Sequence, residues 1–162
     1  MREGDLHLMA NEIHIYAALL LKFANQALEE RLRARGARVS VLQHGVLRML
    51  QFETLSISEI GRRMGLDLST LVRAVDALER EGLARRGSDP DDRRKSPITI
   101  TEKGTELVVN VPVIAGEDPL YQALQSLGAE SNRLRDLLRR LIVEFPEGRL
   151  VAGLMAGLAD HE

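Results

Sequence analysis

One stretch of 46 residues, Ser56 to Thr101, limits the folds open to this chain: SISEIGRRMGLDLSTLVRAVDALEREGLARRGSDPDDRRKSPITIT. Its first half has the pattern of two short crossing helices joined by a turn. Ile60, Met64, Leu66, Leu71 and Ala74 are the apolar positions such a pair buries. Gly61 is small where the helices approach, and Gly65 stands where a left-handed residue must end the first helix. Only glycine takes that conformation without a Cβ penalty. Its second half predicts a charged hairpin. A short strand over Leu83–Arg86 leads into the turn formers Gly87-Ser88-Asp89-Pro90-Asp91-Asp92. Pro97 to Thr101 then alternate with the period of two of a returning strand. Pro97 cannot donate a ladder hydrogen bond, so it belongs at the strand's start or on an edge.

The flanking segments read as helices. From about Leu6 to Ala34, Ile13, Ala17, Leu20, Ala24, Ala27 and Leu28 recur at helical spacing, and Leu19, Leu21 and Phe23 widen the stripe. Such a helix is either deeply enclosed or shared with a second subunit. Arg31, Arg33, Arg35 and Gly36 give it a basic last turn and a stop. Ser40 with Gln43, and Ser56 with Glu59, match capping boxes, and Asp67 is a natural N-cap for the second helix of the central pair. The helix opened by Ser40 should run to about Phe52 and bury Leu42, Val46, Met49 and Leu50, with His44 on the opposite side. After Glu102 another helix begins, and Pro112, Gly116 and Pro119 predict its interruption between Val111 and Pro119. A clean stripe returns in Leu134, Leu137, Leu138, Leu141, Ile142 and Phe145. A short apolar helix is expected over Arg149–Ala159.

At 162 residues the chain has the size of one domain. The fold class expected is mainly α with a small β-wing. A winged helix-turn-helix over 39–104 is flanked by helices of 1–38 and 105–162 that form a dimerisation region. Both ends carry more apolar surface than the centre can cover, which fits a homodimer; a monomeric helical bundle is the alternative.

Composition removes several function classes. With no Cys, disulfides, thiolate redox sensing and Cys-ligated zinc are excluded. No apolar run is long enough for a bilayer, and the Met-Arg-Glu start lacks a signal-peptide apolar region, so a cytoplasmic protein with no membrane partner is expected. No Gly-rich phosphate loop, nucleophile elbow or acid–base pair is present, so no enzyme activity and no cofactor are expected. His7 and His14 lack further ligands at metal spacing, and Asp89, Asp91 and Asp92 lack the Gly and terminal Glu of a calcium loop.

The net charge of −2 argues against a polybasic nucleic-acid binder, so charge must be weighed locally. Arg62-Arg63, Arg85-Arg86 and Arg93-Arg94-Lys95 all fall within the central stretch. Double-stranded DNA is the partner this pattern suggests. A recognition helix offers its N-terminal residues to the major groove, here Ser69, Thr70 and Arg73, while the preceding helix lies across the backbone with Arg62 and Arg63. Arg73 could grip a guanine, and Arg93 and Arg94 suit a narrow minor groove. The competing readings are a winged-helix DNA-binding protein without small-molecule sensing and a winged module used only for protein contacts.

These residues resemble the winged-helix core of the MarR (multiple antibiotic resistance regulator) family. That family's hairpin carries Asp-x-Arg, five residues, then Leu-Thr. This chain has Asp92-Arg93-Arg94, Lys95 to Thr99, then Ile100-Thr101 and Glu102-Lys103-Gly104. The preceding Asp89-Pro90 and the helix Ser69–Glu79 also look like the family. The resemblance covers about 39–104. It implies a homodimeric transcriptional repressor on a pseudo-palindromic operator, released by a small organic effector. It makes Arg94 the minor-groove arginine, with Arg93 and Lys95 beside it, and Asp92 the carboxylate that orders the loop. His14, Tyr16 and His44 would border the effector pocket. The chain departs from the family at Val72 and Ala77, where Thr and Arg are common, at Pro97, and in the interrupted segment 111–119.

Overall fold

The computed structural model describes residues 2–87, 96–145 and 148. Among them the order is α1 (Glu3–Ala34), α2 (Val41–Leu50), α3 (Ile57–Met64), α4 (Leu68–Arg80), β1 (Ala84–Arg86), β2 (Ile98–Ile100), α5 (Glu102–Asn110), α6 (Pro119–Leu127) and α7 (Glu130–Ile142). The mainly helical class with a β-wing is therefore correct. The wing tip and the helix expected over 149–159 lie outside the described residues.

Local chemistry sets most of the boundaries. Ser40 and Gln43 close a reciprocal capping box at the start of α2, and Ser56 and Glu59 do the same for α3. Each box satisfies two backbone N–H groups that a helix start would leave without partners. Gly65 ends α3 at φ 64°, in the left-handed region. α5 stops at Asn110 and α6 starts at Pro119, so the break falls where the prolines predict it.

β1 and β2 pair antiparallel, with Ala84 opposite Ile100 and Arg86 opposite Ile98. Leu55 adds a bridge to the other edge of β2: its N–H reaches the carbonyl of Ile98 (3.2 Å) and its carbonyl accepts from Ile98 (2.8 Å). Thr101 then locks the wing base to α5. Its hydroxyl donates to the carbonyl of Gly82 (2.8 Å) and accepts from the N–H of Gly104 (3.1 Å), capping the helix. Gly104 packs directly beneath the backbone of Leu83, where a side chain would overlap the carbonyl.

The main core gathers Val46, Leu47, Leu50, Leu55, Ile60, Leu71, Val75, Leu78, Leu83, Ala84, Ile98 and Val108. A second cluster of Leu28, Leu32 and Val111 fastens the C-terminal third of α1 to the end of α5. One expectation for α2 needs correction. Its most buried residues are His44, Val46, Leu47 and Leu50, whereas Leu42 and Met49 are half-buried. His44 is not opposite the packed face but fully enclosed, because α2 is covered by α5 as well as by α4 and β2.

The Val111–Asp118 connection is tied down from α1. The Arg31 guanidinium pairs with the Asp118 carboxylate and donates to the carbonyls of Pro112 (3.1 Å) and Val113 (2.6 Å). The second carboxylate oxygen of Asp118 accepts from the N–H of Ala115 (2.8 Å), and Asp118 is only 4% exposed.

Away from these anchors, α1 and α7 leave apolar side chains uncovered. Leu6, Met9, Ile13, Tyr16, Leu20 and Phe23 alternate spacings of three and four along α1. Leu134, Leu138, Leu141 and Phe145 do the same along α7 and just beyond it. Spacing of this kind forms a seam that a facing helix can fill. Among the described residues no helix is long and apolar enough to cross a membrane.

Candidate nucleic-acid interface

α3 and α4 cross at Gly61. A Cβ added there would lie 3.2 Å from the Leu66 carbonyl oxygen and from Leu71 Cδ1, so a larger residue would push the helices apart. The crossing buries Ile60, Leu71 and Val75 and turns the opposite side of α4 outward.

The N-terminus of α4 is organised by Asp67. One carboxylate oxygen accepts from the Thr70 N–H (2.8 Å) and the Ser69 hydroxyl (2.6 Å), and the other from the Thr70 hydroxyl (2.7 Å). These bonds, led by that from Ser69, hold the Asp67 carboxyl well below the usual carboxylate range. Both hydroxyl protons are thereby turned onto Asp67. In this arrangement Ser69 and Thr70 keep acceptor lone pairs but have no side-chain proton to give a phosphate.

Arg73 is exposed and makes no hydrogen bond or ion pair with the described residues. It rims a cleft toward α2, with Ser40, Gln43 and Thr70. Leu68 and Val72 are also on the outer face, 52% and 40% exposed. Val72 rims a second cleft, toward the wing, with Ser56, Ser58, Asp76, Arg86 and Ser96.

The arginine clusters divide once geometry is known. Arg62 is exposed and unpaired among the described residues, but Arg63 is held by Glu53, with one N–O distance of 3.1 Å. The Arg63 hydrogen bond keeps the Glu53 carboxyl below its ordinary range. Arg85 donates to the Thr99 hydroxyl across the wing strands (3.1 Å). Arg86 grips α4: its guanidinium reaches Asp76 (2.6 Å) and Glu79 (2.7 Å), and its backbone N–H reaches Glu79 (2.8 Å). Sequence reasoning missed this clamp between wing and recognition helix. The usable signal was a pair of acids one turn apart on α4, followed by a strand arginine. Asp92, Arg93, Arg94 and Lys95 lie outside the described residues.

The three residues expected at an effector pocket are separated. His14 and Tyr16 are exposed on α1, Tyr16 to 60%. His44 is buried, its Nε2 bonded to the Val111 carbonyl (2.8 Å) and its Nδ1 without a partner among the described residues.

Residues 38–95 match the family model described as MarR family. Over 90 residues the chain is 29% identical to the HTH-type transcriptional regulator SarZ of Staphylococcus haemolyticus (strain JCSC1435), an alignment covering 56% of this chain and 60% of that protein. The chain spans about half the length of the curated relatives it matches. Among solved structures, a MarR family regulator from Rhodococcus sp. RHA1 superposes with a TM-score of 0.66 at 26% identity, covering 85% of this chain and 96% of that one. A mutant MarR from E. coli complexed with operator DNA superposes with a TM-score of 0.67 at 23% identity, covering 82% and 96%, and shares the fold.

Proposed function

By its winged-helix segment the chain belongs to the MarR family of transcriptional regulators, and from that premise we propose that it binds DNA in a sequence-specific manner as a homodimer. The observation that carries the proposal is the outward face of α4, where Arg73 stands free beside a tightly capped helix start. In the major groove Arg73 reads a guanine, Arg62 binds backbone phosphate from α3, and the backbone of the Ser69–Thr70 turn sits close to the sugar-phosphate chain. Arg93, Arg94 and Lys95 of the wing contact the adjacent minor groove, with Asp92 ordering their loop.

The uncovered seams of α1 and α7 support the homodimer, since a second copy supplies helices of matching period. Two copies related by a twofold axis read half-sites about one helical turn, ~34 Å, apart. Regulation is by repression in the cytoplasm, relieved by a small organic effector. His14 is exposed on α1 for such a molecule, and Tyr16 lies in the seam that a second copy covers and meets it only at the edge of that interface. His44 is enclosed and acts on it only through its hold on Val111.

A second reading, a winged-helix adapter for protein contacts, draws on the exposed Leu68 and Val72. Binding of the full chain to a genomic fragment library at low salt, followed by recovery and sequencing, separates the two. Enrichment of particular fragments supports the regulator; uniform recovery at non-specific level sinks it.

A further inference from the structure

Burying Leu68 and Val72 in a DNA groove has chemical consequences that Arg73 and the hydroxyls do not share. Neither side chain can donate or accept a hydrogen bond. Both are substantially exposed, and they stand one turn apart, at i and i+4 on the same face of α4. Ser69 and Arg73 form the neighbouring ridge with the same spacing. One Leu68 methyl lies 3.4 Å from where a Cβ at Gly61 would stand, the residue is nonetheless 52% exposed, and Val72 borders the cleft toward the wing.

An aliphatic side chain pressed against a cytosine N4 or adenine N6 amino group leaves that donor without water or partner, which is unfavourable. The thymine edge differs: its C5-methyl projects into the major groove and is an apolar partner. Resting on the DNA-binding reading above, we infer that Leu68 and Val72 are specificity residues that read thymine through its 5-methyl group, beside a guanine read by Arg73. Cβ atoms one helical turn apart are separated by ~6 Å, and successive base pairs on one strand rise by ~3.4 Å. The two methyl contacts therefore fall within one or two base steps of each other in each half-site. With the donors of Ser69 and Thr70 engaged by Asp67, these apolar contacts supply discrimination that the hydroxyls do not.

Thymine-to-uracil replacement tests this, because it removes the methyl and leaves every hydrogen-bonding group in both grooves unchanged. Each thymine of a fragment enriched by the full chain is replaced singly by deoxyuridine, and binding is measured by fluorescence anisotropy. Wild-type protein should lose about fourfold in affinity at one or two thymines per half-site, the effect of removing one buried carbon, and little elsewhere. Leu68→Ala and Val72→Ala should each abolish the uracil effect at one of those positions while leaving the others. Both side chains are exposed, and alanine favours the helix, so folding should persist, checked by far-UV circular dichroism.

A fragment that is enriched but indifferent to uracil at every thymine overturns the inference and leaves the regulator standing. Uracil sensitivity that persists unchanged in both alanine variants overturns it too, since the methyl would then act through DNA shape or another residue. If no fragment is enriched, the inference falls together with the reading on which it rests.

Discussion

The Nε2–H of His44 donates to the carbonyl of Val111 across 2.8 Å, joining the buried face of α2 to the residue at which α5 ends. Its other ring nitrogen faces no partner among the described residues, so a second proton has nowhere to go. Burial is the main cause holding this imidazole below its ordinary pKa, opposed by the Val111 bond and reinforced by the positive charges of Arg48 and Arg31. The folded state therefore binds the proton less readily than the unfolded chain. Stability contributed by neutral His44 is fully present above about pH 6.5, the unfolded value, and declines as pH falls below it. Urea denaturation between pH 5 and pH 8 should show this decline in the wild type and a flatter profile in His44→Gln. An unchanged slope in the variant would assign the acid sensitivity to other groups.

The Arg31–Asp118 pair is the second anchor of the same connection. Asp118→Ala removes the carboxylate and leaves a largely enclosed guanidinium with only backbone carbonyls. Breaking one side of a buried pair costs about 3–5 kcal/mol, and the Ala115 N–H also loses its acceptor. Denaturant unfolding measures the loss. A change below about 1 kcal/mol would mean the connection is held by Val111 packing alone.

Two glycines should respond oppositely to the same substitution. Gly104→Ala places a methyl against the Leu83 carbonyl at the wing base, and overpacking of this kind costs about 1–3 kcal/mol or more. Gly116→Ala meets nothing within 4 Å and needs no left-handed backbone, so it should be neutral or slightly stabilising. Thermal melts of the pair test the close approach between wing and α5.

The arginines should separate by role in a salt titration. Arg62→Ala should lower the slope of log affinity against log salt by ~0.9 for each phosphate left without its cation, at all sequences alike. Arg63→Ala should change it little, because that guanidinium already pairs with Glu53. Arg94→Ala should weaken binding broadly and flatten the slope. Arg73→Ala should instead relax preference at one base pair per half-site, by about 1–3 kcal/mol. Equal effects from Arg62→Ala and Arg63→Ala would contradict the division drawn from the ion pairs.

Local chemistry was the legible portion of this fold. Ser40 with Gln43, Ser56 with Glu59, Asp67 and Gly65 each act within four residues of themselves, and each occupies the predicted place. His44 was misplaced because a helix enclosed by neighbours on more than one side has no polar face to reveal it. The Leu55–Ile98 bridge and the Arg86 clamp depend on strand register and on an approach between distant segments, which periodicity does not encode. Charge runs misled in the same way: Arg63 and Arg86 look like two more DNA-facing cations until their acidic partners are known, whereas Arg85 is exposed and bonded only to the neutral Thr99 hydroxyl. Of the candidate site, the wing motif from Asp92 to Lys95 lies outside the described residues, and the weakness of Ser69 and Thr70 as donors became visible only with the Asp67 geometry.

Sequence-specific DNA recognition is tested most directly by competition. A fragment enriched by the full chain is titrated at physiological salt against unrelated duplex of equal length, and the stoichiometry is read by sedimentation. The result expected is two protomers per site and an affinity for the selected fragment at least ~10³-fold above that for unrelated DNA, the lower end for specific regulators. Equal affinity for both duplexes, or no binding to either, would contradict the proposal that this winged helix reads an operator.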